Sequence, residues 1–143
     1  MLASINIRSS VAAYEQIENH VRFAISSGAI KAGERLPSVK ELAKRLSINP
    51  NTVAKAYRDL EVMGLIYTRR GMGCFVNKGI EAACRESCRT RMVKRLHEVA
   101  QEAKATGMPK KDIMDIVTKS FAINGDPYED VPASVMALAK KGR

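Results

Sequence analysis

The stretch "SINPNTVAKAYRDLEVMGLIYTRRGMG", residues 47–73, decides how this chain folds. Pro50 stands between two asparagines and is followed at once by apolar residues at helical spacing. Inside a helix a proline removes a hydrogen bond and clashes with the preceding turn. At the first helical position its fixed φ suits the helix and its missing N–H costs nothing. Asn49 then becomes the N-cap, and Ile48 before it is placed to pack on Val53 as a hydrophobic staple. Val53, Ala56, Tyr57 and Leu60 make the buried stripe, and Gly64 closes the helix. "LIYTRR" and "CFV" follow as short β-prone runs around "GMG". Gly71 and Gly73 allow the positive φ of a tight turn there, so the segment reads as a two-stranded hairpin.

Upstream, Val11, Tyr14, Ile17, Val21, Ala24 and Ile25 recur at three and four residues and predict a half-buried helix from about Val11 to Ser27, stopped by Gly28. Ser38 and Glu41 form a capping box that opens a short helix to about Leu46, with Val39, Leu42, Ala43 and Leu46 inward. Three residues, "SIN", separate it from the helix that Pro50 starts. Three helices with a short break before the third, then a hairpin with a basic tip, describe a winged helix-turn-helix. Downstream, Ile80 to about Thr106 is helical and long, and Gly107 and Pro109 end it. A second helix runs from about Lys110 to Ile123, "NGDPYEDVP" is loop, and a last helical turn or two reach Ala139. The expected fold class is mainly α with a small β-hairpin. An N-terminal winged helix-turn-helix occupies residues 1–78, and a short C-terminal helical module occupies residues 79–143.

Composition narrows the function. The 143 residues carry a formal charge of +9, which directs attention to nucleic acid or an anionic surface. Residues 1–79 hold 12 Lys and Arg against 6 Asp and Glu, and residues 80–143 hold 12 against 9, so the excess lies mostly in the first half. Aromatic residues are 5% and Trp is absent, which argues against stacking platforms for single strands. No run approaches the roughly 18–20 apolar residues that span a bilayer, and "MLASINIRSS" lacks the pattern of a secretory signal. Three cysteines, Cys74, Cys84 and Cys88, are an odd number without a disulfide-framework spacing. The expectation is a cytoplasmic, reduced protein with no cofactor and no membrane partner.

The physics of the constellation suits duplex DNA. A helix fits the major groove, and its N-terminal residues reach base edges first. That end presents Asn49, Asn51 and Thr52, whose side chains hydrogen-bond bases or phosphates. Lys55 and Arg58, one and two turns on, are spaced to reach the flanking backbone. Arg69 and Arg70 lie where a wing tip enters a minor groove, and Gly71 allows close approach. Asn49 is first of all a helix cap, and Tyr57 is read as core rather than contact.

Through "GAIKAGERLPSVKELAKRLSINPNTVAKAYRDLEVMGLIYTRRGMGCFV" the chain resembles the GntR family of bacterial transcription regulators, and within it the short YtrA-like branch. "LPSVKELA", the spaced "NPNTV…AY..LE..G.I" and "RGxGxFV" carry the likeness, which covers about residues 11–77. The resemblance implies DNA contacts at Lys40, Asn49, Asn51, Thr52, Arg70 and Gly71. One departure stands out: many members place an arginine early in the recognition helix, where this chain has Pro50 and Ala54. Base choice is therefore expected to rest on the asparagines.

Larger branches of the family carry a ligand-binding or aminotransferase-like domain after the wing, and 64 residues hold neither. Two helices joined by "GMP" resemble the dimerisation module of the YtrA-like branch. A helix of about 27 residues cannot bury a continuous apolar stripe against one shorter partner, which points to a second subunit. The expected dimerisation residues are Ile80, Cys84, Cys88, Met92, Leu96 and Val99, with Ile113, Val117 and Phe121 on the shorter helix. The resemblance implies a homodimeric repressor on a palindromic double-stranded operator and allows a small-molecule effector. Two alternatives stand beside it. One is a metal- or thiol-responsive regulator sensing through Cys84 and Cys88, whose place in the apolar stripe favours simple packing. The other is an architectural protein that binds DNA without sequence preference. Catalysis is not expected: no Ser-His-Asp set or close carboxylate pair is visible, and "GMGCF" lacks the helix that must follow a phosphate loop.

Overall fold

The computed structural model describes residues 4–140. In order they form α1 (Ala13–Ser27), α2 (Val39–Leu46), α3 (Pro50–Val62), β1 (Ile66–Arg69), β2 (Gly73–Val76), α4 (Glu81–Ala105), α5 (Lys110–Phe121), α6 (Ala133–Met136) and a closing 3-10 turn (Ala137–Lys140). The chain divides into two compact units, one through Arg89 and one from Thr90 onward. The fold is the expected winged helix-turn-helix with further helices after it.

Local chemistry sets the element boundaries. Ser38 Oγ accepts the Glu41 N–H at 3.1 Å, and Glu41 Oε2 accepts the Ser38 N–H at 2.8 Å, so the capping box is complete. These hydrogen bonds hold the Glu41 carboxyl below its ordinary pKa. Ser38→Ala is expected to cost about 1 kcal/mol, read as a lower urea midpoint at unchanged slope. An unmoved midpoint would show that water serves these groups as well as the cap does. Between α2 and α3 the chain turns on Ser47, whose φ of 55° lies in the left-handed region, while the Ile48 N–H returns to the Ala43 carbonyl at 3.0 Å. The three-residue break is thus a closed, hydrogen-bonded turn.

The core of the first unit gathers the predicted stripes. Ile17, Val21 and Ile25 of α1, Leu42 of α2, and Val53, Ala56, Tyr57 and Leu60 of α3 are buried with Ile66 and Val76 of the hairpin. Tyr57 donates its hydroxyl to the Pro37 carbonyl at 2.7 Å, tying α3 to the segment before α2. Burial pushes its phenol well above the ordinary range, so the group stays neutral. Tyr57 is core, as read from the sequence.

Two features differ from the sequence reading. α1 buries polar residues as well as its stripe: Gln16, Glu18, Asn19, His20 and Arg22 are all at least nine-tenths covered. Gln16 explains part of this. Its Nε2 donates to the carbonyls of Asn6 and Val11, each at 2.8 Å, and its Oε1 accepts the Asn6 N–H at 3.0 Å. The arm before α1 is thereby fastened across a helix face that periodicity alone assigns to solvent. Secondly, Ile80, Cys84 and Cys88 do not form a free face for a partner. All three pack on the core of the first unit, and Cys84 is 3% exposed.

In the second unit α5 packs on α6 and the 3-10 turn, and Tyr128, Val135 and Leu138 are buried. Ile113 and Val117 are half-buried, while Phe121 is 88% exposed. Among the described residues no helix is long and apolar enough to cross a membrane.

Candidate nucleic-acid interface

The front of α3 is built by two hydrogen bonds to Asn49 and one missing donor. Asn49 Oδ1 accepts the Asn51 N–H at 2.8 Å, the Asn49 carbonyl accepts the Thr52 N–H at 3.0 Å, and Pro50 has no N–H to satisfy. The cap therefore occupies the oxygen of the Asn49 side chain and leaves its amide NH₂ end to meet a base or phosphate. Asn49, Asn51, Lys40 and Arg58 are exposed and Thr52 is half-buried. Asn51 presents both an acceptor and a donor one residue inside the helix, the geometry that suits bidentate contact with a base edge.

Lys55 is engaged within the chain. Its Nζ lies 2.8 Å from Asp59 Oδ2 one turn along α3 and 4.2 Å from the centre of the Tyr14 ring. The Asp59 carboxylate holds the ammonium above its ordinary pKa. A phosphate reaching Lys55 has to compete with this partner.

Behind Lys55 sits an uneven charge cluster between α1 and α3. Glu18 is 4% exposed and its Oε1 is buried without a hydrogen-bond donor. The Arg22 guanidinium is 3.7 Å away, too far for a good ion pair. Burial, then the facing Asp59 carboxylate, raise the Glu18 pKa to about 7. A proton on Glu18 satisfies the cluster, because the carboxyl then donates to Asp59.

The wing is held to α3 by polar bonds outside the ladder. β1 and β2 pair antiparallel, Ile66 with Val76 through Arg69 with Gly73. Glu61 Oε1 of α3 accepts the Thr68 N–H at 3.0 Å, and Asn77 Nδ2 donates to the Gly64 carbonyl at 2.7 Å. Tyr67 and Phe75 stack with centroids 5.7 Å apart and stiffen the ribbon. Arg69, Arg70 and Gly71 are exposed at the tip, where Gly71 has a φ of 77°.

One basic residue of the wing escaped the sequence reading. The segment before α2 runs along β2: the Gly33 N–H donates to the Val76 carbonyl at 2.8 Å, and the Leu36 N–H to that of Cys74 at 2.9 Å. This puts the Arg35 side chain on the hairpin, where a Cβ added to Gly73 would meet its Nε at 2.9 Å. A φ of 111° calls for glycine at Gly73, and any side chain there would displace the Arg35 guanidinium. Arg35 thus joins Arg69 and Arg70 on the wing. Glu61 and Asn77, which set the wing's attachment, were also missed, because a polar residue near a strand end carries no periodic signal.

Among the described residues no group of three or more His, Cys, Asp or Glu is gathered to hold a metal ion. Comparison with known proteins gives the family context. Residues 13–76 match the profile of the bacterial regulatory proteins of the gntR family. The chain is 36% identical over 107 residues to the HTH-type transcriptional repressor YtrA of Bacillus subtilis, covering 75% of this chain and 82% of that protein. A GntR family transcriptional regulator from Listeria monocytogenes superposes with a TM-score of 0.58 at 34% identity, over 77% of this chain and 96% of that one. A transcriptional antiterminator from Listeria monocytogenes EGD-e gives 0.65 at 27% identity, over 91% and 98%.

Proposed function

This chain belongs to the gntR family of bacterial regulatory proteins, and on that premise we propose that it is a sequence-specific transcriptional repressor that binds a palindromic operator as a homodimer. The observation that carries the reading is the exposed, Asn49-capped front of α3 in the same compact unit as a wing tipped by Arg69 and Arg70. Asn51 and Thr52 read bases in the major groove. Asn49, through its amide NH₂, meets a base or phosphate beside them, Lys40 and Arg58 hold the flanking backbone, and Lys55 joins these two where a phosphate outcompetes Asp59. The wing, with Gly71 at its tip and Arg35 at its flank, engages the minor groove or its phosphates. Repression is taken from the similarity to the B. subtilis repressor. Residues 79–143 supply dimerisation through Met92, Leu96 and Val99 of α4 and Phe121 of α5, and the dimer sets half-sites about 10 bp or more apart.

A gel-shift titration with operator selected from random DNA tests the reading. Arg70→Ala and Asn51→Ala are each expected to weaken binding by about 1–3 kcal/mol, and Asn51→Ala alone should relax base preference. Equal competition by unrelated duplex would end the sequence-specific reading in favour of an architectural protein. Unchanged affinity in both variants would remove α3 and the wing from the contact surface.

A further inference from the structure

Cys84 and Cys88 stand one turn apart on α4, and their thiols converge on a single hydroxyl of α1. Ser26 Oγ lies 3.5 Å from each sulfur. Cys84 lines a cavity of about 380 Å³, and a third sulfur-bearing residue, Met63 at the C-terminal end of α3, lines the same cavity. Among the described residues no His, Asp or Glu borders it. The guanidinium of Arg22, whose Nη2 is 2.7 Å from Met63 Sδ, lies on the same wall.

We infer that Cys84 and Cys88 form a two-thiolate site for copper(I). The donor set selects the ion. Zinc asks for four ligands, and the described residues gather no group of three or more ligating His, Cys, Asp or Glu. A soft monovalent ion prefers sulfur and is content with two thiolates. In the binding step each thiol releases its proton to solvent, two S–Cu bonds form, and no electron changes hands. The product carries one net negative charge. Arg22, which lines the same cavity as Cys84, is the cation placed to offset that charge. Cys88 is half-buried and gives the ion its way in, while Cys84 anchors it. Bound copper would staple the first two turns of α4 together beside the Ser26 hydroxyl of α1. The inference uses only the first unit and does not depend on the DNA-binding reading.

The test is an anaerobic titration of the reduced full chain with copper(I) against the chelator bicinchoninate. One ion per chain is expected, with ultraviolet thiolate-to-copper absorption and two protons released. Cys88→Ser and Cys84→Ala should each weaken binding by about 100-fold or more, since loss of a ligand exceeds the 10–100-fold typical of outer-shell changes. Cys74→Ser should bind as the parent does, because Cys74 lies on β2 against Thr68. Parent-like binding in Cys88→Ser, loss in Cys74→Ser, or failure to compete with bicinchoninate each overturns the assignment. Should Cys84→Ala fail to fold, the half-buried Cys88→Ser variant decides alone.

Discussion

Replacing Leu96 and Val99 together with aspartate is expected to yield a folded monomer that binds a two-fold symmetric operator about 100-fold or more weakly than the parent chain. The two residues are 62% and 59% exposed on α4, with Val93 at 61% beside them and Met92 on the same stripe. A monomeric protein seldom leaves a contiguous apolar face of this kind open. Because the side chains are mostly exposed within the chain, substitution removes little internal packing. In a dimer interface each aspartate would bury a carboxylate against apolar surface, a penalty of several kcal/mol. The loss of operator affinity follows from losing simultaneous engagement of two half-sites, while binding to an isolated half-site should be unchanged. Sedimentation and gel shifts on full and half operators read the two effects separately. A variant that still sediments as a dimer would move the interface elsewhere.

The parent chain should lose stability as pH rises between about 4.5 and 7, and Glu18→Gln should remove that loss. The Glu18 pKa stands at about 7 in the folded chain against an unfolded value of 4.5, so the folded state holds the proton more tightly. Folding is then favoured where Glu18 is protonated in both states, and the advantage fades as pH climbs through the folded value. The full span corresponds to roughly 3 kcal/mol. The charges facing Glu18 are Arg22 on its own helix and Asp59 and Lys55 on α3. The Asp59 and Glu41 pKa values are both lowered, so these groups act with the opposite sign, through losses below about pH 4.5 that stay separate from the Glu18 window. The glutamine amide introduced by Glu18→Gln keeps a donor for Asp59 and carries no charge, so the variant should be the more stable protein at pH 8. Urea unfolding at pH 5 and pH 8 measures the difference. A parent slope that survives the substitution would place the proton elsewhere.

The site was legible where it depends on neighbours in sequence. Asn49 and Pro50 mark the start of α3 because a cap and a fixed φ act over two or three residues. The same holds for the Ser38 and Glu41 box and for the turn at Gly71. Side-chain commitments made across the fold were not legible. Lys55 reads as a phosphate contact until Asp59 and Tyr14 are seen to hold it. Arg35 reads as a loop residue until the segment before α2 is paired with β2.

Periodicity, capping and backbone restriction are local, and they determined the three helices, the hairpin and the residues that lead α3. Which faces those helices cover is a question of packing between distant segments. Only the tertiary structure decided that Gln16 and Glu18 are buried beside the apolar stripe of α1, and that Cys84 belongs to the core of the first unit. A polar side chain has the same place on a helical wheel whether water or another segment lies against it. The Asn6 backbone that fastens Gln16 and the Asp59 carboxylate that faces Glu18 are supplied by the fold.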